Sequence, residues 1–541
     1  MGDAPTLVRV FVREASSKRA DGSTVTYLQL VESVWDREKA RSVHRVVHNF
    51  GRREDLDVEG VRRLVRSLSR YLPEGAPSEQ AVGDGRRVLA TRPLGTAHLV
   101  EGLWRSLGLD GFFRAALKRR GLLERYERAL LAMVVNRAID PRSKLGTYEW
   151  LRAGSVHFEG AQALELQDFY RALDVVGAVK GAMEERCWSR TCDLFGVQVD
   201  LVFYDTTSSY FEIDDGDELR RRGKSKDHRG DLPQIVVGVA VNEDALPLRH
   251  WVHRGNTADV STVKGAIKDL AGLGLRRVVF VGDRAMGSRE NLAHLREAKI
   301  PYLIGAKLRE GSKIAQVLAR AGRYHEVLDN LDVKEVVLGE ERFVVCRNEE
   351  AAQRERAVRE RILLQIEQDL RHPKTAKKAL AHRIKSRYVA RRDGRLVVDR
   401  AKARREERLD GKSIVLVGDP SLSAEEAALG YRGRWRVESA IRHMKSFVEL
   451  RPVHHRTEER IRAHVAVCVL SYFLQRLVEI RTKESWPRVR DELQQLAAVT
   501  WSDGAATVVQ TSEPTAAATR LLAAVGLQPP SRLLSVGPAS A

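Results

Sequence analysis

DLVFYDTTSSYFE, residues 200–212, opens with an apolar run that predicts a buried strand and carries Asp205 at the end of that run. Downstream, 235–242 (IVVGVAVN) and 248–252 (LRHWV) predict an antiparallel pair around a turn at Glu243-Asp244. A helix is expected over 260–273, then a second apolar strand over 276–282 (RRVVFVG) that ends at Asp283. A helix over 288–298 and a strand over 302–306 follow. Three strands in a meander, then alternating helix and strand, predict a mixed α/β sheet. The alternation resumes at 413–418 (SIVLVG) and continues into one long helix over 423–448.

Outward from this centre the pattern changes. Residues 7–13 (LVRVFVR) and 24–34 (TVTYLQLVESV) alternate apolar and polar, with 41–50 after a charged turn, so 1–58 reads as a β-rich domain. Apolar residues at three- and four-residue spacing make 59–196 helical. The core then spans 197–306 and 412–482. The 307–411 stretch between them is too long for a plain loop and predicts an inserted subdomain, β up to Cys346 and then helical. Within 371–408 there are 15 Lys+Arg against 4 Asp+Glu. The Ala/Pro/Ser-rich end of the 483–541 tail reads as loosely ordered.

The 541 residues carry 92 Lys+Arg against 73 Asp+Glu, net +19, which points to a polyanionic partner, nucleic acid first. The longest apolar run, 465–474 (VAVCVLSYFL), falls short of the roughly 18 residues of a membrane helix, so no membrane span is expected. The first ten residues lack a secretory-signal pattern. Four cysteines make a disulfide framework untenable and suggest a reducing, cytoplasmic interior.

Asp205 and Asp283 both follow apolar strands, and ligands of open α/β sheets gather beyond strand carboxyl ends. If those strands are parallel neighbours, the carboxylates lie about 5 Å apart, one strand spacing. So close, they repel unless a cation offsets them. An all-oxygen ligand set suits Mg²⁺ or Mn²⁺. The alternative is that both aspartates cap turns. On the expected long helix, Tyr431, Arg434, Glu438 and Lys445 fall inside an arc of roughly 60°. Val437, Ile441, Met444 and Val448 form an adjoining apolar stripe. A solvated ion-pair face is the competing reading of that arc.

The chain resembles the DDE transposases of bacterial insertion sequences, in particular those with a Tyr-x2-Arg-x3-Glu-x6-Lys signature, read here as YRGRWRVESAIRHMK (431–445). The contexts of Asp205 and Asp283, the loop KSKDHRGDLPQ (224–234) and the segment HRGNTADVST (253–262) are also similar to that group. The resemblance implies a ribonuclease-H-like core and a two-metal reaction with two Mg²⁺ or Mn²⁺ ions held by Asp205, Asp283 and Glu438. It implies cleavage at the insertion-sequence ends by water, then attack of the freed 3′-hydroxyl on target DNA. Arg434 and Lys445 would hold phosphates and Tyr431 would position the strand, with Lys226 and Arg229 as further DNA contacts. Double-stranded DNA carrying terminal inverted repeats, target DNA and a homodimer in the DNA complex are the implied partners. The regions before residue 197 would serve end recognition and dimer contacts. The alternatives are a catalytically silent DNA-binding protein and a nuclease of the same fold that cleaves without joining.

Other candidates carry less. Asp214, Asp215 and Asp217 read as a solvated hairpin loop beside 220–222 (RRR). His454, His455, His464 and Cys468 lack the Cys pair of a zinc site. Cys187 and Cys192 fall on different helix faces, and Gly272-x-Gly274 precedes its strand, unlike a dinucleotide fingerprint. With six to ten phosphate contacts, DNA affinity should fall about 10³–10⁵-fold between 50 and 200 mM salt. Neutralising arginines within 371–408 should weaken specific and random duplexes alike. Titrations of both duplexes across that salt range check this, and a flat salt response contradicts it.

Overall fold

The computed structural model describes residues 9–18, 24–36, 41–69, 86–196, 199–213, 215–271, 279–309 and 312–538. Alternating sequence at the start forms β1 (Arg9–Lys18), β2 (Thr24–Asp36) and β3 (Arg41–Arg52), an antiparallel sheet in that order. Two register shifts interrupt the β2–β3 pairing. The helix α1 (Val58–Ser69) follows. The described residues up to 87, with 502–505, make one compact unit, and the remaining chain from 88 makes a second.

At the start of the second unit runs β4 (Arg87–Pro93), whose first residue still belongs to the first unit and which interrupts the stretch expected to be wholly helical. Then come α2 (Gly95–Ser106), α3 (Leu109–Lys118), α4 (Arg125–Ile139), α5 (Lys144–Arg152) and α6 (Leu166–Phe195). α4 is buried along nearly its whole length, since its residues from Ala129 to Ala138 are all enclosed.

The expected meander forms as β5 (Leu201–Tyr210), β6 (Gln234–Val241) and β7 (Pro247–Arg254). α7 (Asp259–Ala271), β8 (Val279–Gly282), α8 (Arg289–Glu297), β9 (Tyr302–Gly305) and α9 (Ser312–Ala319) provide the alternation. β5 does not stop at Asp205. β6 keeps pairing with it as far as Tyr210↔Gln234, while β8 ends at Gly282, so Asp205 sits mid-strand where one neighbour runs out.

The 307–411 stretch divides in two. β10 (His325–Leu328), β11 (Leu331–Leu338) and β12 (Glu341–Arg347) are continuous with the main sheet, because β12 pairs with β15 (Lys412–Val417) over six residues. Its helical part comprises α10 (Glu349–Asp369), α11 (Pro373–Ala381), the hairpin β13 (Val389–Arg392) and β14 (Arg395–Val398), and α12 (Arg400–Glu407). These close on a small core of Ile366, Tyr388 and Ala403. The large sheet has the order β10-β11-β12-β15-β9-β8-β5-β6-β7, with β5–β8 and β8–β9 parallel and the other junctions antiparallel.

The single long helix expected over 423–448 is two helices, α13 (Ala424–Arg432) and α14 (Trp435–Ser446). They part at Gly433, which lies against the Phe203 ring: a Cβ there would stand 2.8 Å from Phe203 Cζ. The close approach of backbone to ring excludes any larger residue. α15 (Glu458–Thr482) is long and apolar enough to cross a membrane, and most of that apolar window is buried in the protein, packed on α4 and α6.

The tail expected to be loose is ordered as far as residue 538. It contains α16 (Trp486–Leu493), β16 (Ala497–Ser502), β17 (Ala506–Thr511), α17 (Ala516–Ala524) and β18 (Leu533–Pro538). Ala518, Leu521 and Leu522 of α17 are buried, an apolar face that the Ala/Pro/Ser composition conceals. These strands and β4 form a four-stranded sheet in the order β18-β17-β16-β4, so β4 has its partner some 400 positions downstream.

Lys144, at the start of α5, is fully buried with its Nζ 3.5 Å from His464 Nδ1, near Arg137, His455 and Cys468. Burial, reinforced by Arg137, pushes this lysine down to about 7. An unfolded lysine titrates near 10.4, so between about pH 7 and 10.4 the unfolded chain binds one more proton than the folded one. Stability should therefore rise across that window by at most about 1.4 kcal/mol per pH unit, and be flat in this term below it. Lys144→Met should remove the rise. Urea melts of both proteins at pH 7, 8 and 9 check this, and equal slopes would contradict it.

Candidate active site

The side-chain period of a strand decides which face each residue serves. In β5 and β8 the odd residues Phe203, Val279 and Val281 join the core beneath α13 and α14. The even residues Val202, Tyr204 and Phe280 join the core on the opposite face. Asp205 and Asp283 are odd and so lie on the α14 side. The parallel register Leu201↔Val279, Val202↔Phe280, Phe203↔Val281 brings the two aspartates side by side two steps further on.

Asp205 has a side chain only 20% exposed and accepts the Thr206 N–H at 2.7 Å. Burial pushes its carboxyl up, against the opposing pull of the Lys226 ammonium; Asp283 adds its repulsion. Asp283 accepts the Arg284 N–H at 2.6 Å and caps the short turn Arg284–Met286. The turn-cap reading is thus correct for Asp283, and it leaves the carboxylate free for further partners.

Two cations meet these carboxylates. Arg434 places Nη1 3.1 Å from Asp283 Oδ1 and Nη2 3.1 Å from Glu438 Oε1, spanning the two acids. Lys226 Nζ lies 3.5 Å from Asp205 Oδ1 and 3.3 Å from Asp259 Oδ2, and donates to Thr206 O and Thr206 Oγ1 at 2.6 and 2.9 Å. Among the described residues no three His, Cys, Asp or Glu side chains converge closely enough to hold a metal ion. Asp205 and Asp283 are neighbours, and Glu438 joins them through Arg434.

α14 is seated by Val437, Ala440 and Met444, with Val448 beyond its end, all buried as the stripe required; Ile441 is half-buried. Tyr431 packs against the end of β9, where a Cβ on Gly305 would stand 2.1 Å from its Oη. Burial pushes the Tyr431 phenol up. Lys445 does not face open solvent. Its Nζ lies 2.8 Å from Asp227 Oδ1, and Arg451 Nη1 lies 2.8 Å from Asp227 Oδ2. Arg451 and Arg229 each lie over the Tyr210 ring, 5.1 and 5.2 Å from its centroid, and Arg229 also pairs with Asp231.

A cleft of about 370 Å³ opens beside Asp283, lined by Arg284, Arg309, Lys412, Tyr431 and Arg434. A second of about 430 Å³ lies past Tyr431 and Arg434, against Glu438 and Trp435. Sequence reasoning missed Asp227, Asp259 and Arg451. The first two stand inside segments already singled out, while Arg451 gave no signal.

Asp217 spends its carboxylate on Arg220 and the Leu219 and Arg220 N–H groups, in a turn where Asp215 is exposed. Asp214, Gly272 and Gly274 lie outside the described residues. His464 Nε2 approaches Leu450 O (3.2 Å) and Cys468 Sγ (3.7 Å) inside the core.

Residues 214–474 match the transposase DDE domain, and residues 12–80 match the N-terminal domain of IS1634 family transposases. The protein is a DDE transposase. The order of the two domains and the sequence resemblance agree on an insertion-sequence enzyme that acts on DNA, and transposases of this type generally use divalent metal ions. The DDE match encloses Asp283, Tyr431, Arg434, Glu438 and Lys445 and begins after Asp205. No curated protein matches the chain.

The Asp227 cluster in this transposase ties the loop after β5 to the end of α14. Removing one partner of an enclosed ion pair leaves uncompensated charge, so Asp227→Ala should cost roughly 2–4 kcal/mol. Combined with Lys445→Ala it should cost clearly less than the sum of the two single changes. Denaturant melts of the four proteins check this, and strict additivity would show that the pair does not interact.

Proposed function

We propose that Asp205, Asp283 and Glu438 are the carboxylates at which this transposase holds two Mg²⁺ or Mn²⁺ ions, on a core of the ribonuclease-H-like type. The observation that carries the reading is the parallel register of β5 and β8, which sets Asp205 beside Asp283 on the face covered by α14. The donor chemistry fits hard divalent cations, since all three donors are carboxylates, although in this structure Arg434 stands between Asp283 and Glu438, 3.1 Å from each, and Lys226 stands 3.5 Å from Asp205. When bound, such ions activate an attacking oxygen and stabilise a leaving one in an in-line displacement at phosphorus.

The chain's own residues supply the rest. Arg434 has a planar fork suited to a phosphate once it leaves Asp283 and Glu438. Tyr431 borders both clefts beside Arg434 and orients the strand that enters them. Lys226 and Arg229 extend the positive surface along the 224–234 loop. Lys445 serves the transposon end through its hold on Asp227 as well as by charge. The exposed strand is cut by water, and the 3′-hydroxyl so freed attacks target DNA.

The remaining assignments belong to the same proposal. The β-rich region 1–58 and the helical region 59–196 take part in recognising the terminal inverted repeats and in homodimer contacts within the DNA complex. The catalytic core spans 197–306 and 412–482, and the basic helical part of 307–411 contacts phosphates. The 483–541 segment completes the fold, and the enzyme works in the cytoplasm on the nucleoid.

Asp205→Asn, Asp283→Asn and Glu438→Gln preserve side-chain size and remove charge. Each should abolish cleavage and joining of a labelled transposon end in Mg²⁺ and leave affinity for the repeat, titrated in Ca²⁺, within about threefold of wild type. Lys445→Ala should slow the reaction without abolishing it. Thermal melts run alongside ensure that the comparison is made on folded protein. Full cleavage by Glu438→Gln would overturn the assignment of that helix.

A further inference from the structure

The loop after β5 and the start of α7 converge beside Asp205 in a way that none of the roles above requires. Lys226 Nζ lies between two carboxylates, 3.3 Å from Asp259 Oδ2 and 3.5 Å from Asp205 Oδ1. Two further contacts, to Thr206 O at 2.6 Å and Thr206 Oγ1 at 2.9 Å, fix the ammonium. Thr206 Oγ1 in turn donates to Asp259 Oδ1 at 2.5 Å. Asp259, Thr206 and Lys226 thus form a closed ring of contacts. Asp259 is the first residue of α7, where the helix N-terminus favours its negative charge. All three side chains lie at the end of the β5–β8 pair, where Asp205 has lost its strand neighbour.

We propose that Asp259 is a positioning residue that fixes Lys226 between two carboxylates and takes up part of its charge, so that the Lys226 ammonium opposes a divalent cation at Asp205 less than it would alone and the Lys226–Asp259 pair sets the protein's cation affinity. The inference rests on the reading of Asp205 as an ion-holding carboxylate. The physical argument is charge balance. A unit positive charge within about 4–6 Å of a carboxylate changes its affinity for a competing cation by tenfold or more, as it does for a proton. Lys226 by itself would hold that charge on a long, flexible stem. Asp259 and Thr206 fix it in place and at the same time draw part of its charge away from Asp205. Removing Lys226 therefore leaves a more negative site. Removing the Asp259 charge leaves Lys226 with Asp205 as its remaining carboxylate partner and a more positive site. Removing both charges restores the balance. If Asp259 were itself an ion ligand, the double change would not restore it.

The test is titration of the full-length protein with Mn²⁺ alone, without DNA, following free Mn²⁺ by electron paramagnetic resonance. Lys226→Met should tighten Mn²⁺ binding about tenfold, and Asp259→Asn should weaken it by a similar factor. Lys226→Met/Asp259→Asn should return to within about threefold of wild type. Asp259→Ser, which also removes the charge at the start of α7, should weaken Mn²⁺ binding in the same way and replaces Asp259→Asn if the latter does not fold, whereas Asp259→Glu, which keeps the charge, should bind Mn²⁺ like wild type. A Lys226→Met protein with unchanged or weakened Mn²⁺ affinity would overturn the proposal. So would a double variant as weak as Asp259→Asn. Asp205→Asn is measured in parallel. If it binds Mn²⁺ like wild type, the assignment of Asp205 fails, whereas its loss of binding with no response to Lys226→Met refutes the present inference alone.

Discussion

Two like charges held side by side, one on β5 and one just past the end of the parallel strand β8, dominate the design of this protein. Asp205 and Asp283 are brought together by the β5–β8 register, not by any attraction of their own. Burial raises the cost of ionising Asp205, and the nearby Asp283 adds to it. Such a pair persists only where positive charge is supplied. The chain supplies it from two directions, Lys226 from the loop after β5 and Arg434 from the entry to α14. That the carboxylates are already matched to cations is what makes the metal-dependent reading of the site physically coherent.

The helix bearing Glu438 has to be held at that edge of the sheet, and several unrelated contacts do so. Gly433 lets the α13–α14 junction lie against Phe203. Val437, Ala440 and Met444 fill the sheet face. From the helical region, Arg137 of α4 donates to Val448 O and Glu449 O at 3.2 and 2.9 Å, gripping the chain where α14 ends. Lys445 and Arg451 bind the same end to the 224–234 loop through Asp227. The helical region is therefore a support for the proposed active edge as much as a candidate surface for DNA or a second subunit.

Charge is distributed with the same logic at longer range. Residues 371–408, between β12 and β15, carry 15 Lys+Arg against 4 Asp+Glu, and Glu355 and Leu409 from the same part of the chain, with Lys412 of β15, border the cleft beside Asp283. A polyanion drawn to that surface arrives next to Arg284, Arg309 and Arg434. Long-range attraction of this kind raises the encounter rate without specifying sequence.

The sequence by itself determined the alternation of strands and helices, the strand-borne aspartates and the apolar stripe of α14, because each is written in local periodicity. It also determined the family, through motifs at fixed spacing. Other features were decided by tertiary structure alone. The continuation of β5 past Asp205 depends on β6 outlasting β8 as its partner. The break at Gly433 depends on a ring 230 positions away, and the pairing of β4 on strands near the other end of the chain. Lys445 was legible as a cation near the site, but only the fold turned it toward Asp227. The ring of Asp259, Thr206 and Lys226 was illegible for the same reason. Hydrogen-bond and charge partners between distant segments leave no periodic trace in a sequence, and only a folded chain brings them within 3.5 Å.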